Sequence, residues 1–298
     1  MTIESPDDLF ERLQKDIFRQ GYSEIAFSMS QQELEEAEQR YLQFLTLPAA
    51  EKEKFEIWIP GLHRDNPSKG TRFGYKDESR DEGQGDNKEY FHHGHFLRKG
   101  LAAIIRVSPQ EVKYFIEAAD DVLAAVERAM EPVYEAFDTK VSGFAESFNQ
   151  TPYIFLRFLS YKPVSKGEEL AIGHFDRGAL TLAMYENRDG LEICPATHDD
   201  FHGKTNAERK DKLERVLRRL QPVSHSPDSA FLFASDAISS IMADKEGYLT
   251  QFPKGYHRVD EKHPEGEPHE RRTAIVAFIS PKEGVVIGDW NSRHPSAR

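Results

Sequence analysis

The chain of 298 residues is long enough to bury a full core and too short for more than two ordinary domains. Its formal charge of −12 argues against nucleic-acid and anionic-membrane partners, which demand a positive field, and no run of lysines and arginines stands apart from its acids. A single cysteine, Cys194, excludes an internal disulfide framework, and no apolar stretch approaches the roughly twenty residues of a membrane span. The opening Met-Thr-Ile-Glu-Ser-Pro-Asp-Asp has no basic segment followed by an apolar core, so a soluble, cytoplasmic protein is expected.

Ser5-Pro6 opens a predicted helix with Leu9, Phe10, Leu13 and Ile17 on one face and Gly21 at its end. Ser30 and Glu33 read as a capping box for a second helix, striped by Leu34, Ala37, Tyr41 and Leu45 and stopped by Pro48. Residues 58–100 are rich in glycine, charge and aromatics and read as loops with short strands, among them 72–75 and 88–92. Ser108-Pro109-Gln110-Glu111 reads as another capping box, opening a long helix through Phe115, Ala119, Val122, Val126 and Ala129, with a kink expected at Pro132.

Beyond Pro152 the pattern turns to short β-prone runs at 153–161, 171–176, 178–186, 190–195, 230–234, 237–242, 255–260 and 272–280. A charged helical insert, about 199–221, interrupts them. Its helix, Asn206 to Leu220, has only Leu213, Val216, Leu217 and Leu220 as an apolar edge, so it is expected to dock on the outside of the domain. A mostly helical region over 1–150 followed by strands over 151–281 predicts an α+β chain, one domain over 1–298, with a double-sheet jelly roll at its core.

His-x-Asp occurs three times, as His63/Asp65, His174/Asp176 and His198/Asp200. The first lies in a turn-rich stretch and the last before a charged segment, and both read as solvated loop residues. Only His174/Asp176 is flanked by β-prone sequence, Ala171-Ile172 before it and Ala179-Leu180-Thr181-Leu182 after it. On an extended strand residues i and i+2 point to one side, so the pair can grip one metal ion together. His257, in Gly255-Tyr256-His257-Arg258-Val259, is the best candidate for a third ligand, since two histidines and a carboxylate on one face of an ion leave the other face open, as in non-haem Fe(II) sites. His92, His93 and His95, in an aromatic loop, and His263 and His269, in a Pro/Glu-rich turn, read as surface or packing residues.

In the last apolar strand, alternation puts Arg272, Ala274, Val276 and Phe278 on one face and Arg271, Thr273 and Ile275 on the other, so one arginine faces inward. A guanidinium at the mouth of an apolar barrel suits a bidentate grip on a carboxylate. Arg157, Arg177 and Tyr75 can line a pocket for an acidic or amino-acid-like molecule or equally stand as surface and sheet residues.

The order His-x-Asp-x-Gly-x-Leu-Thr, then Tyr-His-Arg-Val, then an arginine on a β-run ending in proline resembles the isopenicillin N synthase-like branch of the Fe(II)/2-oxoglutarate-dependent oxygenases. Gly74-Tyr75, Asp86-Asn87-Lys88-Glu89-Tyr90-Phe91 and Leu156 to Pro163 resemble that branch's upstream patterns, so the likeness spans nearly the whole chain. It implies a double-stranded β-helix with His174, Asp176 and His257 as ligands of Fe(II), Arg272 on the distal carboxylate of 2-oxoglutarate and Tyr161 as a second contact. It also implies dioxygen and a small-molecule substrate that is hydroxylated or desaturated; Asp176 stands where related halogenases have a small residue. The family's arginine is followed two residues later by serine or threonine. Arg271 would give that spacing with Thr273, whereas Arg272, preferred by counting back from Phe278 and Pro281, is followed by Ala274. A 2-oxoglutarate-independent iron oxidase of the same family and a non-catalytic metal-binding jelly roll are the other readings.

Overall fold

Helix α1 (Pro6–Gln20) begins where the Ser5 hydroxyl accepts from the Asp8 amide and ends at Gly21, whose φ of 92° only glycine adopts freely. The structure is a computed structural model that describes residues 4–60, 70–78, 87–148, 153–162, 169–224, 226, 228–238, 252–260 and 271–280. Helix α2 (Gln31–Leu45) carries the expected Ser30/Glu33 box and buries Leu34, Ala37, Tyr41 and Phe44. The short α3 (Ala49–Lys52) follows Pro48. Helix α4 (His95–Val107) lies where sequence suggested loops and an unassigned stretch.

Ser108 does not cap the long helix. Its hydroxyl donates to Ile104 O at 2.8 Å and so finishes α4, while α5 (Gln110–Asp138) starts after Pro109 with no side-chain cap. Helix α5 also runs through Pro132 as one element, held on both sides of the proline by buried Met130, Val133, Tyr134 and Phe137. A last short helix, α6 (Phe144–Phe148), precedes the strands.

The strands are β1 (Ser23–Ala26), β2 (Glu56–Pro60), β3 (Gly70–Asp77), β4 (Lys88–His93), β5 (Tyr153–Tyr161), β6 (Glu169–His174), β7 (Leu180–Glu186), β8 (Leu191–Ala196), β9 (Gln221–Pro222), β10 (Ser229–Ala234), β11 (Lys254–Asp260) and β12 (Arg272–Ser280). They form two antiparallel sheets, ordered β1-β10-β7-β12-β5-β4-β3-β2 and β6-β11-β8-β9. The eight strands from β5 to β12 make the jelly roll, and β1 and β2 to β4 extend its larger sheet. Residues 237–238, expected in a strand, lie in a turn whose amides at Asp236 and Ala237 donate to Asp176 O and Gly178 O; the rest of that expected strand is outside the described residues.

Two apolar layers result. Helices α1, α2 and α5 pack with Leu156, Phe158, Leu180, Leu182, Ile275 and Ala277 on one face of the larger sheet. The other face meets the smaller sheet through Leu159, Leu170, Val259 and Ala274, and through Ala183, Ile193 and Phe233. The insert becomes a short turn (His198–Asp200), helix α7 (Asn206–Leu217) and then β9. Its Val216 and Leu220 are buried against Cys194, Ala196 and Tyr256 of the smaller sheet, while Leu213 is 37% exposed. Among the described residues no helix is long and apolar enough to cross a membrane.

Buried Glu89 ties the extension to the barrel, accepting from Lys52 Nζ at 3.0 Å, Tyr75 Oη at 2.6 Å and Arg271 Nη1 at 2.6 Å. Burial alone would raise its carboxyl, but these three donors outweigh it and hold the carboxyl down at about 2. Glu89→Gln is expected to cost roughly 3 kcal/mol at pH 7 by leaving two cations with a poorer partner. Because the folded carboxyl titrates below its ordinary 4.5, this contribution is present above pH 4.5 and fades as pH falls toward 2. Urea denaturation of both proteins at pH 7 and pH 3 measures it, and the gap between them should narrow at the lower pH.

Candidate metal centre and its cleft

Strands β6 and β11 set His174 and His257 directly opposite each other in register, with ring centroids 4.4 Å apart. Asp176 follows two residues after His174, fixed by the turn amide that donates to its carbonyl. Each imidazole has its Nδ1 next to a carbonyl of its own strand, Ile172 O at 2.7 Å for His174 and Gly255 O at 3.0 Å for His257. A carbonyl only accepts, so Nδ1 carries a proton in both rings and both Nε2 atoms are left to face Asp176. Asp176 Oδ1 lies 3.5 Å from His174 Nε2 and 3.7 Å from His257 Nε2. Its Oδ2 accepts from Thr181 Oγ1 at 2.8 Å, and Thr181 is in turn 2.8 Å from Ser235 Oγ.

One ligand atom from each of the three residues lies within 4.8 Å of the others. Burial opposes charge on Asp176, but the two imidazoles and Thr181 outweigh it and keep the carboxyl well below the usual range. For His257, burial prevails over Asp176 and lowers the imidazole, favouring the neutral form that ligates metals. For His174, burial is outweighed by Asp176, which raises the imidazole, so a metal ion would displace a proton there. Two imidazoles and one carboxylate, with Nδ1 and Oδ2 already engaged, fit a single divalent cation and leave its far side facing the cleft.

That cleft lies between the two sheets, with about 640 Å³ of space out to its mouth. The three candidate ligands line one part of it and Arg272, Tyr161, Lys88 and Glu186 another. Alternation along β12 turns Arg272, Ala274, Val276 and Phe278 into the cleft, as the sequence predicted. Arg272 is 2% exposed, pairs with Glu186 on β7, and has its guanidinium 5.7 Å from the Tyr161 ring centre. Its Nε and the Glu186 Oε1 are buried without a hydrogen-bond partner, so this pair is joined at one point and leaves capacity on both sides. Arg271 faces away, to Glu89 and Ser160.

No protein-family model matches the sequence, and no curated protein matches it significantly. Solved structures do. A full-length Neurospora crassa protein, in complex with alpha-KG (2-oxoglutarate) and 5-formyluracil, superposes with a TM-score of 0.63 at 16% identity, over 98% of this chain and 85% of that one. AtDAO1, a dioxygenase for auxin oxidation from Arabidopsis thaliana in complex with 2-oxoglutarate, gives 0.63 at 15% identity over 93% and 90%. A Caulobacter crescentus protein assigned to the 2OG-Fe(II) oxygenase family gives 0.60 at 18% identity over 93% and 82%. The chain has the 2OG-Fe(II) oxygenase fold.

Within that fold His198 stands where sequence did not place it. His198 is not a solvated loop residue: its Nε2 lies 2.9 Å from Asp236 Oδ1, which Lys254 Nζ also reaches at 3.1 Å, and its ring packs 5.4 Å from Phe175. His63 and its aspartate, His263 and His269 lie outside the described residues. His93 and His95 pair with Asp120 and Glu127 on α5, and Tyr75 belongs to the Glu89 cluster rather than the cleft. Glu186 and Ser235 were missed. Their partners are distant in sequence, and only the strand register brings them together.

Thr181→Val removes the hydrogen bond that orients Asp176 without touching a candidate ligand. Affinity for Mn(II), measured by anaerobic titration calorimetry, is expected to fall roughly 10- to 100-fold. His257→Ala should bring a larger loss and His198→Ala a negligible one.

Proposed function

We propose that the protein is an Fe(II)- and 2-oxoglutarate-dependent oxygenase that hydroxylates or desaturates a small organic substrate, within one domain. The observation that carries this reading is the convergence of His174 Nε2, Asp176 Oδ1 and His257 Nε2 on one side of a cleft whose other end holds the buried guanidinium of Arg272. The ordered motifs support the isopenicillin N synthase-like branch. Neighbours of the same fold crystallised with 2-oxoglutarate and small organic molecules, including JOX2 with 2OG, Fe and JA, support the cosubstrate and the substrate class.

Iron in this site would supply the activation of dioxygen, coupled to oxidative decarboxylation of 2-oxoglutarate. His174, Asp176 and His257 would hold the metal by three donors, with Thr181 keeping the second carboxylate oxygen turned away. Arg272 would aim the cosubstrate by its distal carboxylate, and Tyr161 would close the same end. Phe233, Val276 and Phe278 give the space between an apolar lining that keeps water from the reacting centre. Ala274 offers no hydroxyl, so the contact that serine or threonine would make is left to Tyr161.

The test is 2-oxoglutarate-dependent succinate formation by Fe(II)-loaded protein, with calorimetry of 2-oxoglutarate binding to the Mn(II) form. Arg272→Leu is expected to weaken that binding roughly 100-fold, the scale for removing a buried charge-assisted partner. Arg271→Leu should change it little and instead lower stability through Glu89. The Glu186–Arg272 pair favours a second reading, an iron oxidase without the cosubstrate, in which Glu186 permanently fills the guanidinium. Indifference of both metal-loaded protein and oxygen uptake to 2-oxoglutarate would establish that reading.

Glu186 also predicts a pH dependence. Burial pushes its carboxyl up to about 7, against the pull of Arg272. Below that value Glu186 takes a proton and releases its claim on Arg272, so 2-oxoglutarate is expected to bind more tightly at pH 6 than its metal-ligand titrations alone allow. Glu186→Gln mimics the protonated state. It should tighten binding at pH 8 and remove the Glu186 component, read as the difference between wild-type and variant pH profiles by calorimetry.

A further inference from the structure

Cations in and around the cleft are matched with acids: Lys88 with Glu78, Lys254 with Asp236 and Arg272 with Glu186. Arg157 lines the same cleft and has no carboxylate partner among the described residues. Half-buried on β5, it donates from Nε to His92 Nε2 at 2.6 Å, and its guanidinium lies 4.9 Å from the Tyr90 ring centre and 4.5 Å from that of Phe278. The contacts pack the guanidinium against two rings and commit Nε, and no described carboxylate claims Nη1 or Nη2. A half-buried guanidinium packed on two aromatic rings, with no acid of its own, is well matched by a planar anion.

Its place differs from that of Arg272. On β12, Arg272 is opposite Tyr161 and Val276 is opposite Arg157, so the two arginines are separated by four residues of strand, about 13 Å at ~3.3 Å per residue. Phe278, beside Arg157, is in register with Thr181, which holds Asp176. Arg157 therefore stands at the metal end of the cleft and Arg272 at the far end, with Leu159 and Ala274 between. A dicarboxylate reaching from the metal to Arg272 leaves Arg157 for a different anion. Resting on the oxygenase reading, we propose that Arg157 is the seat for the primary substrate's carboxylate, and that the substrate is a small carboxylic acid with an apolar body laid along Phe278 and its reacting carbon toward the three metal ligands.

The experiment uses Zn(II)-loaded, 2-oxoglutarate-bound full-length protein, which cannot turn over, and equilibrium dialysis against a library of small carboxylic acids, each present with its carboxamide. The wild type should retain a subset of acids over their amides by roughly tenfold or more, and Arg157→Leu should lose that retention by a similar factor. Arg157→Lys, with charge but no fork, should fall between, and Arg157→Gln should match the leucine variant, with thermal melts showing that each is folded. The affinity of 2-oxoglutarate itself should stay within about threefold in all of them, since its distal carboxylate is on Arg272. Retention of no acid over its amide by the wild type, retention unchanged in Arg157→Leu and Arg157→Gln, or a loss of 2-oxoglutarate affinity matching that of Arg272→Leu would each overturn the proposal. A wild type that binds no 2-oxoglutarate would overturn the oxygenase reading instead, and the arginine's role would then be read from acid retention with Zn(II) alone.

Discussion

Strand β12 pairs with β5 along its whole length, from Arg272 opposite Tyr161 to Ser280 opposite Tyr153, and this register decides both apolar layers at once. One face sends Arg272, Ala274, Val276 and Phe278 into the cleft. The other sends Thr273, Ile275, Ala277 and Ile279 toward the helices, where they are almost fully buried. A slip of one residue would exchange these sets, exposing Thr273 to the cleft and forcing a guanidinium into the helix layer. Polar contacts oppose such a slip. Thr273 donates to Glu38 of α2, which also accepts from Tyr185 at 2.9 Å, and Arg271 is tied to Glu89. The helix layer thereby holds the inward arginine in place through its sequence neighbours.

On the opposite sheet the same economy of register builds the candidate metal centre. His174 and His257 are cross-strand partners, so their rings share a face by construction, and the carbonyl beside each Nδ1 selects the tautomer. Close packing behind the site fixes the backbones. A β-carbon on Gly173 would come within 2.3 Å of Tyr256 Oη, and one on Gly255 within 2.8 Å of Ile193 and Phe233. The insert helix contributes here too, since Val216 and Leu220 press on Cys194 and Tyr256 from outside and so support the strand that carries His257.

The legible parts of the chain were those in which local pattern and tertiary burial agree. The capped helices α1 and α2 show their burial as period, and the strands β5 to β8 and β10 to β12 stand out as β-prone runs between turn residues; alternation required one inward arginine, and the count back from Phe278 and Pro281 chose Arg272. Ser108 misled because a serine between two helices can finish the first or start the second, and only packing chooses. Helix α4 was hidden by a glycine and clustered charge in a stretch that reads as loop. His198 looked solvated because Asp236 and Lys254, its buried company, are far away in sequence. The candidate ligands were visible through flanking strands, whereas Glu186 had no local mark at all.

Glu186 changes the energetics of the far end of the cleft. A carboxylate arriving at Arg272 meets a guanidinium that is already desolvated and already paired, so it exchanges one charge-assisted contact for another rather than adding one. The cost of burying the guanidinium has been met in folding, and the gain at that end is what the incoming carboxylate makes beyond the Glu186 contact, the unpartnered Nε of Arg272 included. On the proposed function, net affinity for a dicarboxylate then depends on both ends, the other being the cluster of His174, Asp176 and His257. Arg272 on that proposal selects length and charge, accepting a ligand whose second carboxylate reaches it and giving little to one that does not. On the proposed function, a single acid placed on β7 thereby sets how the cosubstrate's binding energy divides between Arg272 and the candidate metal centre, and so couples the two ends of the cleft.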